Sequence, residues 1–185
     1  NRVYMLMLNR FKSVVLCSLV LFISGCQLAT SSKSESKFSS LDELKNIEFP
    51  STKAPKGISD GPFGMEYDNG KPEFKTWIKK GCFDKYIKTY YENGNPESDI
   101  QLKDCLVNGT IRNYHKNGRI DLEMTVNKGK LSGPFTIFHD TASNKPNITG
   151  TFNNGVLVGT VTEFDENGTV TGRAVIRNGE VFIEQ

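Results

Sequence analysis

A phosphate-binding glycine loop, a serine set with a histidine and a carboxylate in a nucleophile motif, and a block of like charges are all missing from this 185-residue chain. The first two absences leave no motif for nucleotide binding or triad hydrolysis. The third, with a net charge of +2, gives nothing for nucleic acid to recognise. Histidine is scarce, with only His115 and His139 in the chain. Cys82 and Cys105, a pair of cysteines without nearby histidine partners, fall short of the four ligands that zinc needs. The acidic stretches Asp68-Asn69-Gly70, Asp140 and Asp165-Glu166-Asn167-Gly168 lack the alternating oxygen donors that calcium requires. No catalytic residue, metal site or cofactor is therefore expected.

What the chain has is an internal repeat. Unit starts fall at Gly61, Lys85, Gly109, Gly133 and Gly159, spaced 24, 24, 24 and 26 residues apart. A second column lies four residues ahead, at Gly57, Gly81, Cys105, Gly129, Gly155 and Gly179, with Cys105 as its one exception. Asn-Gly recurs at Asn69-Gly70, Asn93-Gly94, Asn117-Gly118 and Asn167-Gly168. That pair suits a two-residue type I′ turn, where both residues need positive φ. The fourth unit carries Asp140-Thr141-Ala142-Ser143-Asn144-Lys145 instead and is expected to have the longest tip. The Gly-x-x-x-Gly segments read as the return turns.

Between turns the apolar period is two, as in a half-buried strand. Inward sets in the second arms are Phe74 and Ile78; Ile100 and Leu102; Leu122, Met124 and Val126; Ile148 and Phe152; Ala174 and Ile176. In the first arms, Phe63, Ile87, Ile111, Phe135 and Val161 stand three residues before Glu66, Tyr90, Tyr114, Phe138 and Phe164. That odd spacing means either apolar cover on both faces or a bulge that flips the phase. The fold expected is all-β, an elongated antiparallel meander of about five hairpin repeats of 24 residues, each touching only its neighbours.

These residues resemble the bacterial variant of the MORN repeat, whose pattern is a glycine, an aromatic two residues on, a tyrosine and an Asn-Gly turn. The resemblance runs over residues 57–185, with Tyr90-Tyr91-Glu92-Asn93-Gly94 and Gly133-Pro134-Phe135 as good fits. Lys85 and Cys105 depart from it. It implies a β-hairpin array, usually without catalysis, and some members of the family are antitoxin components.

The N-terminal end adds a location. Arg10 and Lys12 precede an apolar run from Val14, too short to count as a spanning helix, that leads to Ile23-Ser24-Gly25-Cys26. Asn1 cannot initiate a chain, so Met5 or Met7 is the start expected. Ser24 and Gly25 before Cys26 resemble the lipobox of bacterial lipoproteins, which implies a signal peptide over 1–25 and a lipid anchor on Cys26. Gln27, rather than aspartate, implies sorting to the outer membrane, facing the periplasm or the cell surface. Removing residues 1–25 takes away Arg2, Arg10 and Lys12 and leaves 20 basic against 21 acidic residues. Residues 26–56 read as a serine-rich, flexible tether. Within it, Ser40-Leu41-Asp42-Glu43 is a capping box, so 41–47 is either one short helix or disordered.

Cys82 and Cys105 remain as an even pair in an oxidising space. Equivalent return turns lie two strands apart, roughly 9.6 Å, against the about 7 Å that a disulfide spans. The one-position offset of Cys82, with twist or a wide loop, closes the gap. A disulfide is the expectation, and two free thiols the alternative. His115 and His139 share a column with Tyr67, Tyr91 and Asp165, so they read as turn residues rather than a metal pair or general base.

The function expected is a membrane-anchored, non-enzymatic module that binds an unknown envelope protein or acts as a scaffold. Tyr67, Trp77, Tyr90, Tyr91 and Tyr114 are the candidate partner-binding residues. The alternative is an immunity or antitoxin lipoprotein, and the third reading is a cell-wall enzyme.

Overall fold

The computed structural model describes Phe49, residues 51–178 and residues 180–184. The expected signal peptide, Cys26 and helix 41–47 lie outside the described residues. Eleven strands follow one another: β1 (Gly61–Glu66), β2 (Pro72–Lys79), β3 (Cys82–Tyr90), β4 (Pro96–Lys103), β5 (Leu106–Tyr114), β6 (Ile120–Asn127), β7 (Lys130–Phe138), β8 (Pro146–Asn153), β9 (Val156–Phe164), β10 (Val170–Arg177) and β11 (Glu180–Glu184). All pair antiparallel in a single sheet whose spatial order is the sequence order. This is the open meander that the repeat implies, one strand longer than five hairpins require.

The two turn classes are the reverse of the expectation. Type I′ geometry sits at the return ends, where Lys80 and Gly81, Asp104 and Cys105, Lys128 and Gly129, and Asn154 and Gly155 all have positive φ. At the Asn-Gly tips only the glycine does, with φ of 77° at Gly70, 92° at Gly94, 86° at Gly118 and 87° at Gly168. Each tip is a three-residue loop closed by a glycine bulge: Tyr67 N–H donates to Lys71 O, and Gly70 N–H to Tyr67 O. At three tips the asparagine Oδ1 accepts from the N–H two residues on, as Asn69 does from Lys71 at 2.9 Å, and at the last Asp165 Oδ1 accepts from Asn167 and Thr169 instead.

The unit-start column also has a different place. Lys85, Gly109, Gly133 and Gly159 lie inside β3, β5, β7 and β9, not in the turns, and all have positive φ. Between Met124 and Val126 of β6, one residue faces three of β7, and the same mismatch recurs between β4 and β5 and between β8 and β9. These are bulges, and they lie upstream of the odd-spaced pairs. A further register shift falls inside the odd-spaced pairs, between Thr89 and Tyr90 and between Asn113 and Tyr114, with the extra residue, Glu97 or Asp121, on the partner strand; the first arm itself runs on, so its apolar side chains lie on both faces. The buried face holds Phe74, Ile87, Ile100, Ile111, Leu122, Met124, Phe135, Phe152, Val161 and Ala174. Ile148 alone of the second-arm inward set is half-buried rather than buried.

The last residues of the expected tether are strapped to the sheet. Phe49 N–H donates to Gly129 O, Thr52 N–H to Cys105 O and Ala54 N–H to Gly81 O, at 2.8, 2.8 and 2.9 Å. The segment thus crosses the third, second and first return turns in that order before the chain enters β1. Thr52 is fully buried, and Thr52 and Phe83 exchange a further backbone bond and a side-chain bond. Cys82 and Cys105 are joined beneath it by a disulfide with Cα atoms 5.2 Å apart. The offset supplies the reach, because Cys82 begins β3 while Cys105 occupies the turn itself.

Candidate functional site

Cross-strand register lines up one row across the polar face. It runs Lys75, Lys88, Asp99, Arg112 and Glu123 on β2 to β6. It continues as Thr136, Thr149, Thr162, Arg173 and Glu184 on β7 to β11. From Lys88 to Glu123 the sign alternates, and side chains pair accordingly. Lys88 Nζ lies 3.0 Å from Asp99 Oδ2, and Arg112 Nε donates to Glu123 Oε2. These hydrogen bonds raise the pKa of Lys88 and of Arg112, against a smaller desolvation penalty. Partly exposed pairs of this kind contribute about 1 kcal/mol or less, so the row organises the face more than it stabilises it.

Aromatic rings flank the row. Trp77 carries Lys85 Nζ over its ring at 3.5 Å, and Tyr90 carries Lys75 Nζ at 5.7 Å. Tyr114 feels Asp99, Arg112, Lys88 and Glu123, and its phenol pKa is raised chiefly by burial. Three of the five candidates, Trp77, Tyr90 and Tyr114, therefore share the polar face, half-buried. Beyond β6 the row loses its charge, and Thr136, Thr149 and Thr162 replace the ion pairs until Arg173.

Tyr67 and Tyr91 are used differently. Tyr67 Oη donates to Tyr90 O at 2.6 Å, and Tyr91 Oη to Tyr114 O at 2.7 Å. Each ring bridges one unit to the next. His139 repeats the contact, with Phe164 O accepting from its Nε2 at 2.9 Å. His115 Nε2 instead lies 3.4 Å from Asp121 Oδ1, whose pKa is raised by burial and partly restored by His115. Asparagines make a parallel ladder at the tips: Asn69 Nδ2 donates to Glu92 O and Asn93 Nδ2 to Lys116 O. The column position had read only as a tolerant turn site. Its signal was the recurrence of a ring that could reach a carbonyl 23 to 25 residues on. Among the described residues, no group of three or more His, Cys, Asp or Glu is gathered to hold a metal ion.

Burial, with Glu97 and Asp121 adding, pushes the Tyr91 phenol up to about 12 from 10.0. The folded state thus holds this proton over a range where the unfolded chain has released it. Stability is present below pH 10 and is lost as pH rises towards about 12. Tyr67 and Tyr114 shift in the same direction. In chemical denaturation at successive pH values, Tyr91→Phe is expected to flatten this alkaline slope in part and to cost about 1 kcal/mol at neutral pH. An unchanged slope would remove Tyr91 from the account.

Residues 84–104 match the family model of the MORN repeat variant. No curated protein matches the chain. Among solved structures, it is similar to a chain of the Glycosylation Associate Protein (Gap123) complex from Streptococcus agalactiae, at 10% identity and a TM-score of 0.35. The likeness covers 68% of this chain and 24% of that one. An S. aureus TarM mutant in complex with fondaparinux, alpha-GlcNAc-glycerol and UDP matches at 14% identity and a TM-score of 0.32, over 90% of this chain and 27% of that one. A chain of a GtfA/B complex bound to UDP and GlcNAc matches at 12% identity and a TM-score of 0.25, over 95% and 37%. This chain therefore spans well under half the length of each, and similarities this low assign it no activity.

Proposed function

From a chain that carries the MORN repeat variant, we propose a non-enzymatic binding module of the bacterial cell envelope, held at the outer membrane by lipid on Cys26, that engages a protein partner through the polar face. The observation that carries this reading is the shared placement of Trp77, Tyr90 and Tyr114 beside the Lys75 to Glu123 row. Rings and arginine are the groups that dominate protein interfaces, and a rigid sheet presents them at little ordering cost. The opposite face is buried, and Tyr67 and Tyr91 spend their hydroxyls on the fold.

Two measurements test it together. Palmitate labelling should mark the wild type and not Cys26→Ala. Co-purification from crosslinked, detergent-solubilised envelopes should recover a protein that the Trp77→Ala/Tyr114→Ala double variant recovers at least about tenfold less, since each lost anchor costs about 1 to 2 kcal/mol. Equal recovery by a folded double variant would move the binding site off this face.

A further inference from the structure

Among the described residues, the outer hydrogen-bonding edge of β11 is open. Its one neighbour there is β10, and its register with β10 runs without a shift from Arg177↔Glu180 to Arg173↔Glu184. Phe182 and Ile183, on opposite faces, are 48% and 54% exposed, and they are two of the four exposed large apolar residues among the described residues. The strand has no proline, lysine or bulge, three of the devices that keep sheet edges from pairing, and its charges, Glu180 and Glu184, stand at its two ends. The opposite edge has such protection: β1 contains Pro62, which lacks an N–H, and Gly61 at a φ of 135°. The two ends of one sheet are therefore unlike.

In a two-residue hairpin the pair that closes the turn exchanges both backbone bonds, and bonded and non-bonded pairs then alternate. Arg177 and Glu180 close the β10–β11 turn, so Glu180, Phe182 and Glu184 direct their backbone groups to β10. The N–H and C=O of Val181 and Ile183 point out along the edge.

The side chains say what belongs there. Glu180 and Glu184 stand opposite Arg177 and Arg173, while Val181, Phe182 and Ile183 stand opposite Ile176, Val175 and Ala174. Elsewhere on this face, basic and acidic residues alternate from strand to strand between Lys88 and Glu123. The next strand in that order carries basic residues opposite the two glutamates and apolar residues between them. We infer that the open edge of β11 is a strand-addition site for a partner protein's extended segment of the form basic, three apolar residues, basic. A second copy of this chain fits poorly. Two-fold pairing about Phe182 would set Glu180 opposite Glu184, and like charges opposite one another destabilise a strand pair. β1 of a second copy contributes Glu66 and no basic residue. This inference does not depend on the polar-face site.

The probe is already in the sequence, because β10 satisfies the pattern with Arg173-Ala174-Val175-Ile176-Arg177. A fluorescein-labelled peptide carrying that segment is titrated against the full chain by anisotropy, beside the same peptide with both arginines replaced by glutamate. Saturable binding of the basic peptide is expected, with the acidic peptide at least about tenfold weaker. Hydrogen exchange should slow at Val181 and Ile183. Ile183→Pro, which removes one outward donor and none used by β10, should abolish binding while the β10 amides stay protected. Equal affinity for the two peptides, absent saturation, or protection confined to other strands would overturn the inference. Sedimentation of the full chain as a dimer with protected Val181 and Ile183 would give the edge to a second copy and overturn it too.

Discussion

Serine in place of Cys105 is expected to lower the stability of the sheet by about 3 kcal/mol, a fall of about 10 °C in Tm for a domain of this size. The bond to Cys82 closes a separation of 23 residues, and its loss returns that loop's freedom to the unfolded chain. Glycine at the same position is expected to cost roughly 1 kcal/mol less than serine. Cys105 has a φ of 65°, and its counterparts Gly81, Gly129 and Gly155 are the residues that take such angles without a Cβ penalty. Thermal melts of Cys105→Ser, Cys105→Gly and Cys82→Ser separate the two effects. Cys82→Ser keeps the backbone strain at Cys105 and should resemble Cys105→Ser; identical melts for all three would remove strain from the explanation.

The second large effect lies at mid-sheet. Ile111, 1% exposed on β5, is flanked in register by Ile100 and Met124. Ile111→Ala should cost about 3 kcal/mol through lost burial and the cavity left behind. In a sheet whose strands touch only their sequence neighbours, that deficit is not shared evenly. Hydrogen exchange should show β1 to β4 and β7 to β11 opening with separate free energies, where the wild type opens them together. A uniform loss of protection would mean that the units are more strongly coupled than nearest-neighbour pairing allows. Val181→Ala, at the half-exposed edge, is the control and should change stability by less than about 1 kcal/mol.

How far the sequence could be read follows from which signals are local. Alternation in the second arms placed Phe74, Ile100, Met124, Phe152 and Ala174 on one face, because period two is a property of the strand alone. Turn type was misread for an equally physical reason. Asn-Gly fits two loop classes, and the looser one is held by a side-chain oxygen that accepts a tip N–H, as Asn93 does from Asn95 and Asp165 from Thr169. Lys80-Gly81 and Lys128-Gly129 carry no such tag, yet they form the tighter turn. The bulges at Gly109 and Gly133 are visible only in pairing, since an extra residue exists relative to a partner strand. The strap was the least legible feature. Ser51-Thr52-Lys53 has no apolar period, and the strap is fixed by backbone bonds to turns that lie 27 to 80 residues away in sequence. At the site, residue type identified the aromatics, but only the contacts separated Trp77, Tyr90 and Tyr114 from Tyr67 and Tyr91, which bridge units.

The strap also decides how mechanical load would enter the sheet. A chain joined directly to β1 would deliver tension to an edge strand and unzip the meander from one side. Here a pull arriving from upstream of Phe49 meets Gly129 O first, then Cys105 O, then Gly81 O, so contacts fail one after another across the return turns. The Cys82–Cys105 bond ties the start of β3 to the second return turn, a covalent stop for any unzipping that reaches β3. The hairpins would bear the force only after the strap had been peeled away.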